Sequence, residues 1–588
     1  MIIAKGRESE YSIIYPANPT ESCKYAASEL KKYLAKISGA YLPEFQENRH
    51  VEEKEIVIGY TNRGGYTEKE VKELGDEGFI IRNKGERIFI LGSGVRGALY
   101  GVYTFLEKFC GVRFYLNDFE KVPETETLSI GPFEDDREVP VFFYRNPYWY
   151  PVSDPAISAK LKINGCHGRR RFPDYLGGDV NYEGGFEHTI GWLSGQCEFG
   201  QRAWHQPCLT DEKTFETVVG NLRWLLNEHP DARLVSITQN DGDTGACKCE
   251  KCKAINDAEE SEMGTMLTFV NRVAETLEKE YPDVLFDTFA YRFTRKPPKT
   301  VRPRKNVIVR LCSIECCFNH PVEECSITPG HPDLNRSFAD DVVEWSKIAP
   351  RLTVWNYTTN FTDFSTLFFN FRTLLKNERF FADHGVTGLF EQGNFASLNG
   401  EFAELRGYIL ARILWNPRMS EEEYKSLIHE FIMDYYGEGG KYIEQYLKLA
   451  EEGSADSHFG IYYDNAANYI WVRGLESKQA GQEEFIRLGN ELFDKAEAAA
   501  EDGYRLANIR RSRIQLLDYM DFVVREKANN AEGEEKEALT REFLANNEKR
   551  FAYMRRYGIT HNREFNDIST LSDPDYMKYA LQWDGVKD

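Results

Sequence analysis

Six short runs dense in Val, Ile, Leu and Phe constrain this chain more than anything else in it: VFFYRN, LVSITQND, VLFDTFAY, NVIVRLCSIE, LTVWNYTTN and VTGLFEQGN, spread from Val141 to Asn394. Each gives way to a polar loop, and helical patterns lie between them, as in MLTFVNRVAETLEKEYP and in DEKTFETVVGNLRWLLNEH, for which Thr210 is the predicted N-cap. Apolar runs alternating with helices predict an α/β fold with a parallel sheet covered on both faces. Two more strands in the irregular stretch 165–210 would complete the eight of a (β/α)8 TIM barrel over residues 134–417.

The flanks have other rhythms, as expected for a chain of 588 residues, which exceeds what one core supports. Residues 1–133 predict a small α+β domain. YSIIYP and EIVIGY read as strands, GFIIRNKGERIFILGS as two strands across an Asn-Lys-Gly turn, and the segments closed by Gly39 and Gly111 as helices. From 418 to 588 the pattern is helical, opening with Ser420 and Glu423 at capping-box spacing. The stretch REKANNAEGEEKEALTRE predicts a charged helix or hairpin.

A formal net charge of -21 argues against nucleic-acid or anionic-membrane partners, which require clustered Lys and Arg. The start MIIAKGRESEYSIIYPANP carries charges where a signal peptide would be apolar, so the expected location is cytoplasmic. Oligomeric state is left open. In a reducing compartment the twelve cysteines are expected as free thiols or metal ligands. An aromatic share of 14% suits a ring-stacking carbohydrate site, although most rings must be core.

Barrel chemistry sits at the C-terminal strand ends. Those ends present Arg145 and Asn146, Asn240 and Asp241, Asp287 to Tyr291, Glu315, Trp355 to Tyr357, and Glu391. Acids, amides and aromatics on one face suit glycoside hydrolysis, in which one carboxyl protonates the leaving oxygen and a second group stabilises an oxocarbenium-like centre. Each has a plainer reading. Asp241-Gly242 alone is a turn signal, Glu315 and Glu391 could be paired structural acids, and Trp355 and Tyr357 could be core. His167, His188, His205 and His320 lie in polar loops, where GCHGRRRF and GFEHTI could donate to sugar hydroxyls. Arg169, Arg170 and Arg171 could hold an anionic group. Cys247, Cys249 and Cys252 form C-x-C-x2-C, three potential ligands of a structural zinc that would stiffen the loop after Asp241. The fourth ligand is sought among Cys312, Cys316, Cys317, Cys325 and His320; free thiols or a local disulfide are the alternatives.

The string from LVSITQNDG through CKCEKC, FVNRVAETLEKEYPDV and NVIVRLCSIECCFNHP to GLFEQGNF and ELRGYILARILWNP resembles bacterial domain-of-unknown-function family 4838. Part of that family was reclassified as glycoside hydrolase family 163, endo-β-N-acetylglucosaminidases acting on complex N-glycans. GVRGALYGVYTFLEKFCGVRFY is similar to the small α/β domain preceding the barrel in α-glucuronidases and β-hexosaminidases. The resemblance implies a retaining, substrate-assisted cleavage of a β-linked 2-acetamido sugar in an oligosaccharide or N-glycan, with no cofactor required for catalysis. It implies Asn240 orienting the acetamido group and Asp241 as acid/base. Related pairs more often end in Glu, so Glu315 and Glu391 stay candidates for the acid. Arg145, Asn146, His167, His188, Tyr291, Trp355 and Tyr357 are the expected substrate contacts. A glycosidase using a carboxylate pair on a uronic acid or neutral sugar, and a non-catalytic carbohydrate-binding protein, are the competing readings.

Overall fold

The computed structural model describes residues 1–166, 170–242, 245–331, 336–398, 400–463 and 465–568. The chain forms two compact units, one of residues 1–146 and 152–180, the other of 147–151 and the chain from 181 onward.

In the first unit a six-stranded sheet runs in the order Asp136–Glu138, Phe79–Lys84, Arg87–Gly92, Glu55–Ile58, Ser12–Tyr15, Glu44–Gln46. Helices Glu21–Ser38 and Gly97–Cys110 end at Gly39 and Gly111, both left-handed at φ 69 and 74, where a side chain would be strained. The expected hairpin turns through Gly85. This unit also settles two expected substrate contacts. Arg145 is buried and donates to both oxygens of Glu77, at 2.8 and 3.0 Å, while Arg96 and Asn164 donate to the same carboxylate. Burial pushes the Glu77 carboxyl up, but Arg145, Arg96 and Asn164 together hold it below its ordinary value. Arg145 is therefore a core ion-pair partner and not a sugar ligand. Asn146 is likewise buried, its amide donating to the Tyr144 hydroxyl at 3.2 Å. Arg170 lies near Asp154 and Arg171 pairs with Asp179, and His167 and Arg169 lie outside the described residues.

The second unit is built on six parallel strands: β1 (Tyr182–Glu183), β2 (Leu234–Ser236), β3 (Leu285–Ala290), β4 (Val307–Cys312), β5 (Leu352–Tyr357) and β6 (Val386–Gln392), paired in chain order. The described residues of this unit thus show a curled parallel sheet, the coarser part of the expected barrel, without showing its closure into a ring of eight. Tyr182–Glu183 is its one short strand from the stretch 165–210, where Gly177, Gly178, Gly184 and Gly185 all take positive φ and interrupt extended chain. Helices α1 (Glu212–Glu228), α2 (Glu250–Glu259), α3 (Met263–Leu277), α4 (Phe338–Ser346), α5 (Phe371–Asp383) and α6 (Ala403–Trp415) lie between and after the strands, α2 and α3 both before β3, while β3 and β4 are joined through a single 3-10 turn, Arg292–Thr294. Asp211, not Thr210, caps α1, its side chain accepting from the Thr214 amide at 3.0 Å.

Beyond Pro417 come α7 (Glu421–Tyr436), capped by Ser420, then α8 (Gly440–Ser454), α9 (Lys478–Ala499), α10 (Gly503–Asn530) and α11 (Gly533–Arg556). The charged stretch, residues 525–542, is the end of α10, a two-residue connection and the start of α11. A hairpin, β7 (His561–Arg563) with β8 (Asn566–Asp567), follows. No helix among the described residues is long and apolar enough to cross a membrane.

Candidate active site

Alternation along the strands decides which side chains reach the sheet interior. From β3, Asp287 meets Arg310 of β4, which donates to its two oxygens at 2.6 and 3.2 Å and lays its guanidinium 3.7 Å from the Phe186 ring centre. Burial pushes Asp287 up to about 6, against the pull of Arg310 and the Ser236 hydroxyl. Further along, Trp355 packs on Phe390, Phe186 and Phe289, and its indole N–H donates to Gln392 Oε1 at 2.8 Å. Tyr357 lies between Phe318 and Phe361. With exposures of 8% and 6%, Trp355 and Tyr357 are packed rings that form the base of the site and do not present open faces for stacking.

At the strand ends the polar groups converge on Asp241, whose side chain is 30% exposed. The Tyr291 hydroxyl donates to Asp241 Oδ1 at 3.3 Å and itself accepts from Arg292 Nε at 2.9 Å. His188 Nδ1 is 2.8 Å from the Gln239 carbonyl, which can only accept. Nδ1 therefore carries the proton, and Nε2, 4.0 Å from Asp241, is left as an acceptor; burial keeps this imidazole below its ordinary pKa. His188 and Arg292 both sit at positive φ, 53 and 51, a strained conformation that concentrates at functional sites.

Arg202 joins this cluster to two acids that sequence reasoning missed. Its guanidinium lies 3.9 Å from Asp241 and 3.4 Å from Glu187. Burial raises Glu187 against the pull of Arg202. The third acid, Glu564, comes from the β7–β8 turn and accepts from Gln392 Nε2 at 2.7 Å. Burial is the main cause that lifts it to about 7, with repulsion from Glu187 and Asp241 adding to it and Arg202 opposing. One carboxylate held by donors beside two carboxyls of raised pKa is an arrangement able to move a proton near neutral pH. Glu187 lies inside the quoted GFEHTI; nothing local in the sequence marks Glu564.

Three predicted catalytic residues are not in this cluster. The Asn240 side chain is buried, and its amide donates to Gln196 and the His205 carbonyl, at 3.1 and 2.8 Å. Both amide hydrogens are spent on the loop, which Asn240 anchors, while its Oδ1 is buried without a hydrogen-bond partner. Glu315 is buried against Arg295 at 3.0 Å, which also holds Asp341. Glu391 points away from the interior, because its strand neighbours Phe390 and Gln392 take the inward positions. It accepts from Asn356 at 3.0 Å and meets Glu378 of α5.

Glu378 and Glu391 are both fully buried, and the charge of Glu391 bears on Glu378. Burial raises both, Glu391 to about 7 and Glu378 well above its ordinary value. Folded pKa values above the unfolded ones mean that folding retains protons, so this pair favours the fold below about 4.5 and the benefit is lost as pH rises through 7. Glu378→Gln should therefore flatten the fall in melting temperature between pH 5 and 8. An unchanged slope would show that the pair does not carry it.

The C-x-C-x2-C thiols are completed from an unexpected place. Cys208, just before α1, lies 3.7 Å from Cys249 Sγ and 3.8 Å from Cys252 Sγ, and with Cys247 the four form one cluster. Four thiolates about 2.3 Å from a tetrahedral zinc stand about 3.8 Å apart. Cys312 and Cys316 are buried elsewhere, and Cys317, Cys325 and His320 form a different group, so none supplies that fourth ligand.

Residues 114–448 match the family described as a domain of unknown function, DUF4838. The chain belongs to the DUF4838 family. Residues 4–105 of this DUF4838 protein match the family described as glycosyl hydrolase family 67 N-terminus. No curated relative matches it. Among solved structures it is similar to a family GH115 4-O-methyl-alpha-glucuronidase with specificity for decorated arabinogalactans. Identity there is 11% and the TM-score 0.57, over 97% of this chain and 82% of that one. A family 89 glycoside hydrolase from Clostridium perfringens in complex with PUGNAc gives 11% identity and a TM-score of 0.49, over 89% of this chain and 65% of that one. A GH138 enzyme targeting pectin rhamnogalacturonan II gives 12% and 0.45, over 96% and 94%. At such identities the likeness is one of fold: the DUF4838 chain has a glycosidase-like α/β architecture.

Proposed function

We propose that this protein is a glycoside hydrolase acting on an oligosaccharide or glycan, with Asp241 as its catalytic carboxylate. The observation that carries this reading is the convergence of Asp241, Glu187 and Glu564 on Arg202 at the strand ends. In this reading Asp241, which accepts from the Tyr291 hydroxyl, acts at the sugar, and Glu564, lifted to about 7, gives the proton to the leaving oxygen. The substrate assigned first is a β-linked 2-acetamido sugar, on the resemblance to glycoside hydrolase family 163. Because the Asn240 side chain is fully buried, Asp241 takes over the acetamido N–H in that scheme. The four-cysteine cluster is assigned a structural zinc that fixes the loop leaving Asp241.

A second reading, a uronic acid as substrate, is favoured by Arg202 and Arg292 beside the catalytic carboxylate, since guanidinium groups match sugar carboxylates. Incubation with 2-acetamido glycosides, N-glycan fragments and uronic-acid oligosaccharides, read by mass spectrometry, separates the two. A product ending in N-acetylhexosamine supports the first assignment, and cleavage confined to uronides replaces it with the second. Binding without product from any substrate overturns hydrolysis altogether.

A further inference from the structure

Cys317, His320 and Cys325 sit in the loop after β4, and His458 lies 133 residues beyond Cys325, in the segment after α8. The fold brings the four together, with one ligand atom from each within 4.8 Å of all the others. Cys317 Sγ is 3.4 Å from His320 Nδ1, and Cys325 Sγ is 3.5 Å from His458 Nδ1. A thiolate about 2.3 Å and an imidazole nitrogen about 2.0–2.1 Å from one tetrahedral zinc stand about 3.6 Å apart. The observed separations fall close to that edge, with no disulfide among these residues. The other ring nitrogen of His320, Nε2, is 2.9 Å from the Ala455 carbonyl. A carbonyl there requires Nε2–H, which leaves Nδ1 bare and aimed at the sulfurs, the usual outer support of a metal-bound histidine.

We propose that Cys317, His320, Cys325 and His458 form a second, structural zinc site of Cys2His2 type, distinct from the four-cysteine cluster. Two thiolates with two imidazoles select zinc over hard cations, and four protein ligands leave no open position for chemistry. The site clamps the β4 exit loop to the segment after α8. Hydrogen bonds already run between those stretches, from the Phe318 amide to the Phe459 carbonyl at 3.0 Å and from Asn319 Nδ2 to the carbonyls of Ser454 and Ser457, both at 2.6 Å. Four residues past His458 is Tyr462, a hydroxyl close enough to feel the charges of Glu564, Arg292 and Asp241. The zinc thereby steadies a segment that reaches the strand-end site.

Metal content of the full chain, purified in reducing buffer without chelator, tests this independently of any activity. Elemental analysis should find two zinc ions per chain, falling to one in His458→Ala and to one in Cys249→Ser. Zinc-edge X-ray absorption of the wild type should average three sulfurs to one nitrogen, shifting to two and two in Cys249→Ser. One zinc per chain with four sulfur ligands, or a second zinc retained in His458→Ala, overturns the proposal, as does a Cys317–Cys325 disulfide seen as a 2 Da mass deficit. Should His458→Ala fail to fold, the wild-type absorption and stoichiometry decide alone.

Discussion

Asp241→Asn is expected to lower kcat/KM by about 10²- to 10⁴-fold, the range for loss of a positioned acid-base or stabilising carboxyl. The fold should hardly notice. The side chain is partly exposed, and an amide oxygen in its place can still accept from Tyr291 and from the Gly242 amide, which now meet Asp241 Oδ1 at 3.3 and 2.9 Å. Comparing a natural glycoside with an aryl glycoside refines the result. Glu564→Gln should impair only the former, whose leaving oxygen needs a proton, whereas Asp241→Asn should impair both. Near-normal turnover by Asp241→Asn removes that residue from the chemistry.

Arg310→Leu is expected to cost about 3–5 kcal/mol of stability, read as a fall in the urea midpoint. The guanidinium supplies a hydrogen bond to each oxygen of Asp287, donates to the Phe186 carbonyl at 3.1 Å and stacks on the Phe186 ring. Without it a fully buried carboxylate keeps only the Ser236 hydroxyl, 3.2 Å away. The sign with pH follows. Burial already lifts Asp287 to about 6, and losing the cation lifts it further, so the variant's deficit should shrink in acid, where the carboxyl becomes neutral. Adding Asp287→Leu should recover much of the loss, because the penalty lies in the orphaned charge. A deficit below about 1 kcal/mol for Arg310→Leu alone would show that this ion pair does not hold the sheet interior together.

The sequence made strands β2 to β6 legible because each is an apolar run bounded by polar chain, and Asp241 was visible as an acid at the end of one of them. Facing was less legible. Glu391 ends a strand as conspicuously as Asp241, yet one position of register turns it toward α5, and only the packing of Phe390 and Gln392 shows which way the strand is set. Arg145 and Glu315 misled in the opposite way. Charged residues in apolar surroundings look functional, but Glu77 and Arg295, remote in sequence from both, neutralise them. The three spaced cysteines announced a cluster. Cys208, 41 residues before Cys249, has no spacing to give it away, and His458 and Glu564 are equally silent. Long-range partners of this kind leave no periodicity to read.

The turn carrying Glu564 lies 172 residues beyond Gln392, the strand-end amide it bonds. The strands and helices up to α6 can therefore be in place while the site still lacks its third acid. A chain severed between α10 and α11 would keep the sheet that positions Asp241 and lose the proton donor assigned to it. Truncation before the hairpin is therefore expected to take the Glu564 carboxyl from the site while leaving Asp241 in place.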